Sequence, residues 1–322
     1  MVENIPKVPE CTFRTMMRSF RKKNVFKILG IGALLLVLSF LIFLYLLGSQ
    51  ETFKVREYYG YDRDIPLKET LALIKDTTDY RLYHVQYSSV GNKKVTGLLS
   101  IPKKGSGPLP VIILVHGLGD HKAVDYIEYG NSFFLNNGYA VMRIDLSEHG
   151  ERKGDRYKFD LTGPYKHWSR NIIAQSVFDL KRAVDFLETR KELDPARIGY
   201  YGISLGGIIG TVFSGTDNRI KVPVVALAGG QLNLLYKEGA MNARSKEFVS
   251  IIEPLNFVGQ ISPRPFLMLN AENDEVVPPL MSKLLINAAK KPKDIIWYKA
   301  KHKDAPIDQI YGDGLQWFNK YL

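Results

Sequence analysis

Six short apolar runs constrain this chain more than any other feature: 111–115 (VIILV), 139–145 (YAVMRID), 197–203 (RIGYYGI), 224–228 (VVALA), 266–270 (FLMLN) and 295–300 (IIWYKA). Their apolar residues follow one another instead of alternating. A strand with one face in water alternates, so continuous runs of this length belong to strands covered on both faces, as in a parallel sheet between two layers of helices. The stretches between them supply the helices. The clearest, 168–190, sets Ile172, Ile173, Val177, Leu180, Val184 and Leu187 on one face, and Pro195 is expected to close the loop behind it. Ahead of these runs, 80–88 and 94–101 are β-rich and separated by Gly91-Asn92, which reads as an antiparallel hairpin. Strands alternating with helices give a right-handed, doubly wound α/β sheet, here mixed by the hairpin. One domain over 80–322 accommodates all of it, with 48–79 left as a juxtamembrane segment, helical around 67–75. Residues 231–261 separate two strands by more than a short helix needs. They form either a lid or cap over the site, or a second packing helix with its loop.

At 322 residues, 45% apolar and 24% charged, the composition excludes wholesale disorder. A single cysteine excludes a disulfide framework and any Cys-based zinc or iron–sulfur site. The net charge of +11 points to nucleic acid or an anionic membrane until the charge is located. Residues 28–47 (ILGIGALLLVLSFLIFLYLL) carry no charge, and a helix of that length reaches ~30 Å, the thickness of a bilayer's hydrocarbon. A soluble core helix would show a polar stripe. A cleaved signal peptide would have a shorter run with small residues before the cut, whereas Leu46, Leu47, Gly48 and Ser49 stand here. The expectation is an uncleaved transmembrane signal anchor.

The tail before it, 1–27, holds Lys7, Arg14, Arg18, Arg21, Lys22, Lys23 and Lys27 against Glu3 and Glu10, and also the only cysteine, Cys11. The positive-inside rule puts this tail in the cytoplasm and the remainder outside the membrane. The tail accounts for five of the eleven excess charges. No helix-turn-helix, zinc finger or aromatic RNA-binding motif is present, so the membrane is an expected partner and nucleic acid is not. Lysines 290, 291, 293, 299, 301 and 303 form a further basic stretch. It is either solvated surface or a patch that attracts anionic headgroups or acidic substrates.

Gly202-Ile203-Ser204-Leu205-Gly206-Gly207 ends a strand and opens a helix, the setting of a nucleophile elbow. Small flanking residues let the backbones pass closely, and the helix N-terminus offers amide donors and a positive potential to developing negative charge. The plainer reading is a Gly-rich turn whose serine caps the helix. A serine nucleophile needs a base, and the base an orienting acid. In open α/β sheets ligands gather at the carboxyl ends of strands. Among six histidines, His302 follows the last apolar run and is the best-placed base. His84 reads as a strand residue, and His121 and His167 as surface or capping groups at helix starts. Asp274 follows the 266–270 run and is the best-placed acid, with Glu272 and Glu275 in reserve.

These segments together resemble the α/β-hydrolases, within the group of dienelactone hydrolases, acetyl esterases and prolyl-oligopeptidase-like enzymes. The resemblance rests on Val115-His116-Gly117-Leu118-Gly119, Gly138-Tyr139-Ala140-Val141, Asp145 with His149-Gly150-Glu151-Arg152, and Gly202–Gly207. It continues through Pro263-Arg264-Pro265-Phe266-Leu267, Asp274-Glu275-Val276-Val277-Pro278 and His302. It implies an α/β-hydrolase fold and a serine esterase with Ser204, His302 and Asp274 as triad, needing no metal or organic cofactor and acting on a small ester or acyl substrate. It further implies an oxyanion hole from the backbone N–H groups of Leu118 and Leu205, a structural His116, and a loop-stabilising role for His149 and Arg152. Two positions depart from the family pattern. Asn270 stands where glycine is frequent, and lysines 301 and 303, not glycine, flank His302. The same triad also serves peptidases and acyltransferases, although the chain has no room for the propeller domain of a prolyl oligopeptidase. A silent binding protein on this fold is a further alternative.

Overall fold

The structure is a computed structural model, and it describes residues 35–40, 55–105, 107–154, 159–161, 163–235 and 247–322. The chain divides into two compact units, Met1–Lys54 and Val55–Leu322. In the first unit only 35–40 is described, as a helical stretch of exposed residues. The rest of the expected anchor, 28–47, lies outside the described residues. Among the described residues no helix is long and apolar enough to cross a membrane.

The second unit is built on one nine-stranded sheet in the order β1-β2-β3-β5-β4-β6-β7-β8-β9. Its first part is antiparallel: β1 (Thr70–Asp76), β2 (Tyr80–Ser89) and β3 (Lys93–Pro102), with β3 also antiparallel to β5 (Ala140–Ile144). The remainder is parallel: β4 (Leu109–Val115), β5, β6 (Leu193–Ile203), β7 (Val222–Ala226), β8 (Phe266–Ala271) and β9 (Lys293–Tyr298). The strand order therefore reverses at β4, which lies between β5 and β6, and such a reversal opens a crevice at the carboxyl ends of the strands.

The continuous apolar runs have the expected cause. In β4, Val111, Ile113 and Val115 join one core and Ile112 and Leu114 another, every one of them buried. The first core is roofed by α2 (Lys166–Glu188), α3 (Leu205–Thr216) and α4 (Pro279–Ala288), through residues such as Val177, Ile209 and Leu285. The second is roofed by α1 (Asp125–Asn136) and α5 (Ile307–Tyr321), through Phe134, Ile310 and Phe318.

The sequence misplaces two elements. The stretch 67–75, expected to be helical, holds β1, paired with β2 from Thr70↔Gln86 to Asp76↔Arg81. This is an edge strand whose side chains are almost all exposed, so it lacks the alternation that marks a half-buried strand, and the template offered by β2 decides its conformation. Residues 55–79 are accordingly part of the compact unit and not a connector to it. Pro195, expected to close a loop, sits inside β6 where the register with β4 jumps from Leu193 to Ile198. The segment 231–261 is described only in part, as short helical turns at Leu232–Leu235, Pro254–Asn256 and Val258–Gln260.

Candidate active site

Ser204 stands between β6 and α3 with φ 56° and ψ −117°, a backbone conformation that costs a non-glycine residue energy. The surrounding chain fixes it there: its N–H donates to the Ala226 carbonyl at 2.8 Å, and its own carbonyl accepts the Ile208 N–H at 3.0 Å. The glycines are required sterically. A Cβ on Gly206 would stand 2.6 Å from the Val115 carbonyl oxygen, and one on Gly202 would collide with the Gly206 carbonyl.

Loops after the two outermost parallel strands bring the other two groups. His302 follows β9, and its Nε2 lies 3.0 Å from Ser204 Oγ. Asp274 follows β8, and its Oδ2 lies 2.7 Å from His302 Nδ1. The other oxygen, Oδ1, accepts the Val276 and Val277 N–H groups at 2.9 and 2.7 Å, which aims the carboxylate. Asp274 is buried and His302 is half-buried. Hydrogen bonds thus run in file from Asp274 through His302 to Ser204. Of the reserve acids, Glu275 accepts the backbone N–H of His302 at 3.4 Å, and Glu272 is exposed. Asn270, at the glycine-rich position, turns inward and donates to the Ala228 carbonyl at 2.8 Å and Ser282 Oγ at 2.7 Å. The lysines at 301 and 303 are exposed.

The loop after β4 crosses the serine at the reversal point of the sheet. A Cβ on Gly117 would be 3.4 Å from that of Ser204. Leu118 follows Gly117 on this loop, and Leu205 is the first residue of α3, where helix geometry leaves the N–H without an intrahelical acceptor. His116 is fully buried and ties the loop inward: its Nε2 accepts the Leu146 N–H at 3.2 Å and its Nδ1 lies 2.7 Å from the Gly117 carbonyl. That pair of partners requires a neutral ring protonated on Nδ1. Burial, with the adjacent His149 adding to it, drives the His116 pKa down to about 4 despite the Gly117 hydrogen bond. His149 Nδ1 lies 2.8 Å from the Ser147 carbonyl, while Arg152 donates to the Asp145 carbonyl at 2.9 Å and pairs with Asp179 at 2.8 Å. Both therefore serve the loop after β5.

Three residues of this region are not evident in the sequence. Lys122 is buried with its Nζ 2.5 Å from Asp145 and 2.6 Å from Glu151, and its N–H donates to Asp145 Oδ1. Burial alone would raise the Asp145 carboxyl, but the hydrogen bonds and charge of Lys122 outweigh it and hold the group below its ordinary range. Tyr126 and Asp120 form a second tie: the Gly117 N–H donates to Tyr126 Oη at 2.8 Å, and that hydroxyl donates to Asp120 Oδ2 at 2.7 Å. No spacing rule in the sequence links a loop glycine to a tyrosine nine residues on. His121 lies in the loop before α1, not at a helix start, and its Nδ1 accepts the Ala123 N–H. His167, in the first turn of α2, meets Phe248 edge to face. Among the described residues no His, Cys, Asp or Glu cluster has the geometry to hold a metal ion.

A serine on a strained strand-to-helix turn, with its partners on later strand ends of a mostly parallel sheet, defines the α/β-hydrolase class. Within that class, the chain belongs to the acetyl xylan esterase (AXE1) family of ester-hydrolysing enzymes, whose model matches residues 54–228. The match contains Leu118, Ser204 and Leu205 but ends before Asp274 and His302. Among curated relatives, YtaP of Bacillus subtilis is 25% identical over 209 residues, which cover 58% of this chain and 68% of that one. The acetyl esterase Axe7A of Xylanibacter ruminicola is 24% identical over 251 residues, covering 68% of this chain and 55% of that one. Among solved structures, an acetyl xylan esterase from Paenibacillus sp. R4 superposes with a TM-score of 0.69 at 21% identity, over 83% of this chain and 92% of that one. That likeness speaks to the fold.

Proposed function

We propose that the protein is a membrane-anchored serine carboxylesterase acting on short-chain esters, acetyl esters foremost, through a Ser204–His302–Asp274 triad. One observation carries the mechanism: a strained serine hydroxyl 3.0 Å from an imidazole whose other nitrogen is 2.7 Å from a buried carboxylate. Ser204 Oγ attacks the acyl carbon as its proton passes to His302 Nε2. Asp274 holds the ring in the orientation this needs and stabilises the imidazolium. The N–H groups of Leu118 and Leu205 receive the oxyanion, where loss of one such donor typically costs ~10²–10³ in turnover. As the tetrahedral centre collapses, the alcohol leaves with the proton from His302. Water then attacks the acyl-enzyme, gives its proton to His302, and the acid departs as Ser204 recovers its hydrogen. The acetyl preference is supported by family membership and by the acetyl esterase among the relatives.

The test is hydrolysis of p-nitrophenyl esters, acetate to decanoate, by the full chain and its Ser204→Ala variant. The expected result is turnover highest at two to four carbons and absent from the variant. Equal rates for the two proteins on every ester would sink the reading.

The anchoring reading rests on the charge-free run 28–47 and the basic tail before it. It places the tail in the cytoplasm and the hydrolase unit outside. The full chain is expected to stay with membranes washed at alkaline pH, and protease added to intact spheroplasts is expected to digest the hydrolase unit. Release into the wash would overturn it.

A further inference from the structure

We propose that Tyr126 and Asp120 act as a positioning pair for the oxyanion hole, holding the Gly117–Leu118 peptide in its working orientation. The proposal rests on the esterase reading above and specifies how one half of its oxyanion hole is kept in place.

Leu118 contributes only a backbone N–H, so its aim depends on the dihedral angles of the loop. Loops drift unless their polar groups are tied. Leu205 needs no such help, because α3 holds it. Gly117, just before Leu118, is gripped on both sides. Its carbonyl lies 2.7 Å from His116 Nδ1, and its N–H is 2.8 Å from Tyr126 Oη. Tyr126 can accept that N–H only while its own hydrogen points elsewhere, and Asp120 Oδ2, at 2.7 Å, takes it. Burial leads the causes that push the Tyr126 pKa far above its ordinary value, so the hydroxyl keeps its hydrogen. The tyrosine is itself anchored in the first turn of α1, whose carbonyl at that residue accepts Tyr311 Oη from α5 at 2.9 Å. The loop is thereby referred to a rigid helix pair.

The pair also borders the nucleophile: a Cβ on Gly117 would lie 3.4 Å from Ser204 Cβ, 3.4 Å from Tyr126 Oη and 3.5 Å from Asp120 Oδ2. The hydroxyl is bonded to the Gly117 N–H, and the pair acts through that peptide.

The pair makes a demand on chemistry as well as on shape. A carboxylate close to an oxyanion hole opposes the negative charge forming there. Asp120 is needed as an acceptor, not as a charge, so asparagine should replace it and alanine should not.

The test compares the full chain with Tyr126→Phe, Asp120→Ala and Asp120→Asn. Each is assayed for ester turnover and for inhibition by an alkyl trifluoromethyl ketone, whose hydrated adduct on serine needs the same oxyanion donors. Tyr126→Phe and Asp120→Ala are expected to lower kcat about 10–100-fold, somewhat less than outright loss of a donor. KM should stay within about threefold, and the inhibition constant should rise in step with the fall in kcat. Asp120→Asn should keep kcat within about threefold of the parent. The proposal is overturned if Tyr126→Phe leaves kcat and inhibition unchanged, if only KM or the melting temperature moves, or if Asp120→Asn falls as far as Asp120→Ala. Should the parent chain show no Ser204-dependent turnover at all, the esterase reading fails separately. Amide hydrogen exchange at residues 117 and 118 then decides the pair: faster exchange in Tyr126→Phe upholds it, and unchanged exchange overturns it.

Discussion

At the residue scale, a buried neutral histidine ties the active-site loop to the pH of the medium. His116 titrates near 6.5 when unfolded and at about 4 in the fold. Between those values the unfolded chain binds the extra proton and the folded chain does not, so the stability this group confers is present above pH 6.5 and drains away as pH falls toward 4. The whole effect is on the order of 3 kcal/mol. The denaturation midpoint of the full chain is expected to drop across that window. His116→Asn should start lower at pH 7 but decline less, and a parallel decline in the two proteins would refute the assignment. The acid of the proposed triad admits an equally direct comparison. Asp274→Asn should lower kcat by ~10⁴, since an amide no longer stabilises the imidazolium or fixes its tautomer. Glu275→Gln, altering only an acceptor for a backbone N–H, should cost less than about tenfold. Equal losses in steady-state kinetics would mean that the two carboxylates share the role. Ser204, Asp274 and His302 were legible in the sequence because chain order and strand ends confine where such groups can sit. Tyr126 and Asp120 were not, because their link to Gly117 is set by how α1 docks on the sheet.

At the scale of elements, the β6–α3 turn concentrates the steric demand. Gly206→Ala is expected to cost more than about 3 kcal/mol, because the new methyl meets the Val115 and His116 carbonyls, at the end of a central strand and in the buried residue just after it, which cannot withdraw. Gly259→Ala is the control: its Cβ would meet nothing nearer than 3.8 Å, so its chemical-denaturation midpoint should match the parent's. A Gly206→Ala protein with the parent's midpoint would contradict this close passage. The six continuous runs disclosed the parallel strands since both faces of each are covered. β1 escaped notice for the complementary reason, that neither face is. The lysine stretch that looks continuous in the sequence is divided by β9. Lysines 290 and 291 precede that strand, while lysines 299, 301 and 303 follow it, ~20 Å away at 3.3 Å per residue. Lys293 meanwhile donates to the Ala289 carbonyl at the end of α4. A single basic patch does not form from it.

For the whole molecule, the unit built on the nine-stranded sheet begins at Val55. Residues 55–66 are held by α2, the loop beyond α3 and the segment before β8. Tyr59, fully buried, donates to the Ile251 carbonyl at 2.7 Å, and Tyr61 donates to Asp185 at 2.9 Å. Arg182 donates to the Ile65 carbonyl, and Arg219 pairs with Asp185 and Asp217 at 2.6 Å each. Burial pushes the Tyr61 pKa up to about 12, so its hydroxyl remains a donor throughout the working range. A chain starting at residue 51 is expected to unfold in one cooperative step. One starting at residue 68 should lose at least ~3 kcal/mol, the cost of an emptied aromatic site alone, in equilibrium unfolding. Identical midpoints would show that this strap is dispensable.

The proposed triad is divided between the interior of the sheet and its rim. Ser204 hangs from β6, flanked by strands on both sides, whereas His302 hangs from β9, which has a neighbour only in β8. Rim strands open locally at a lower free-energy cost than strands bonded on both sides. Warming is therefore expected to part imidazole from serine while the core is still assembled. Ester turnover should then fail at a lower temperature than the one at which the body unfolds, with one outer ribbon setting the working ceiling; coincident loss of the two on a single heating ramp would refute this.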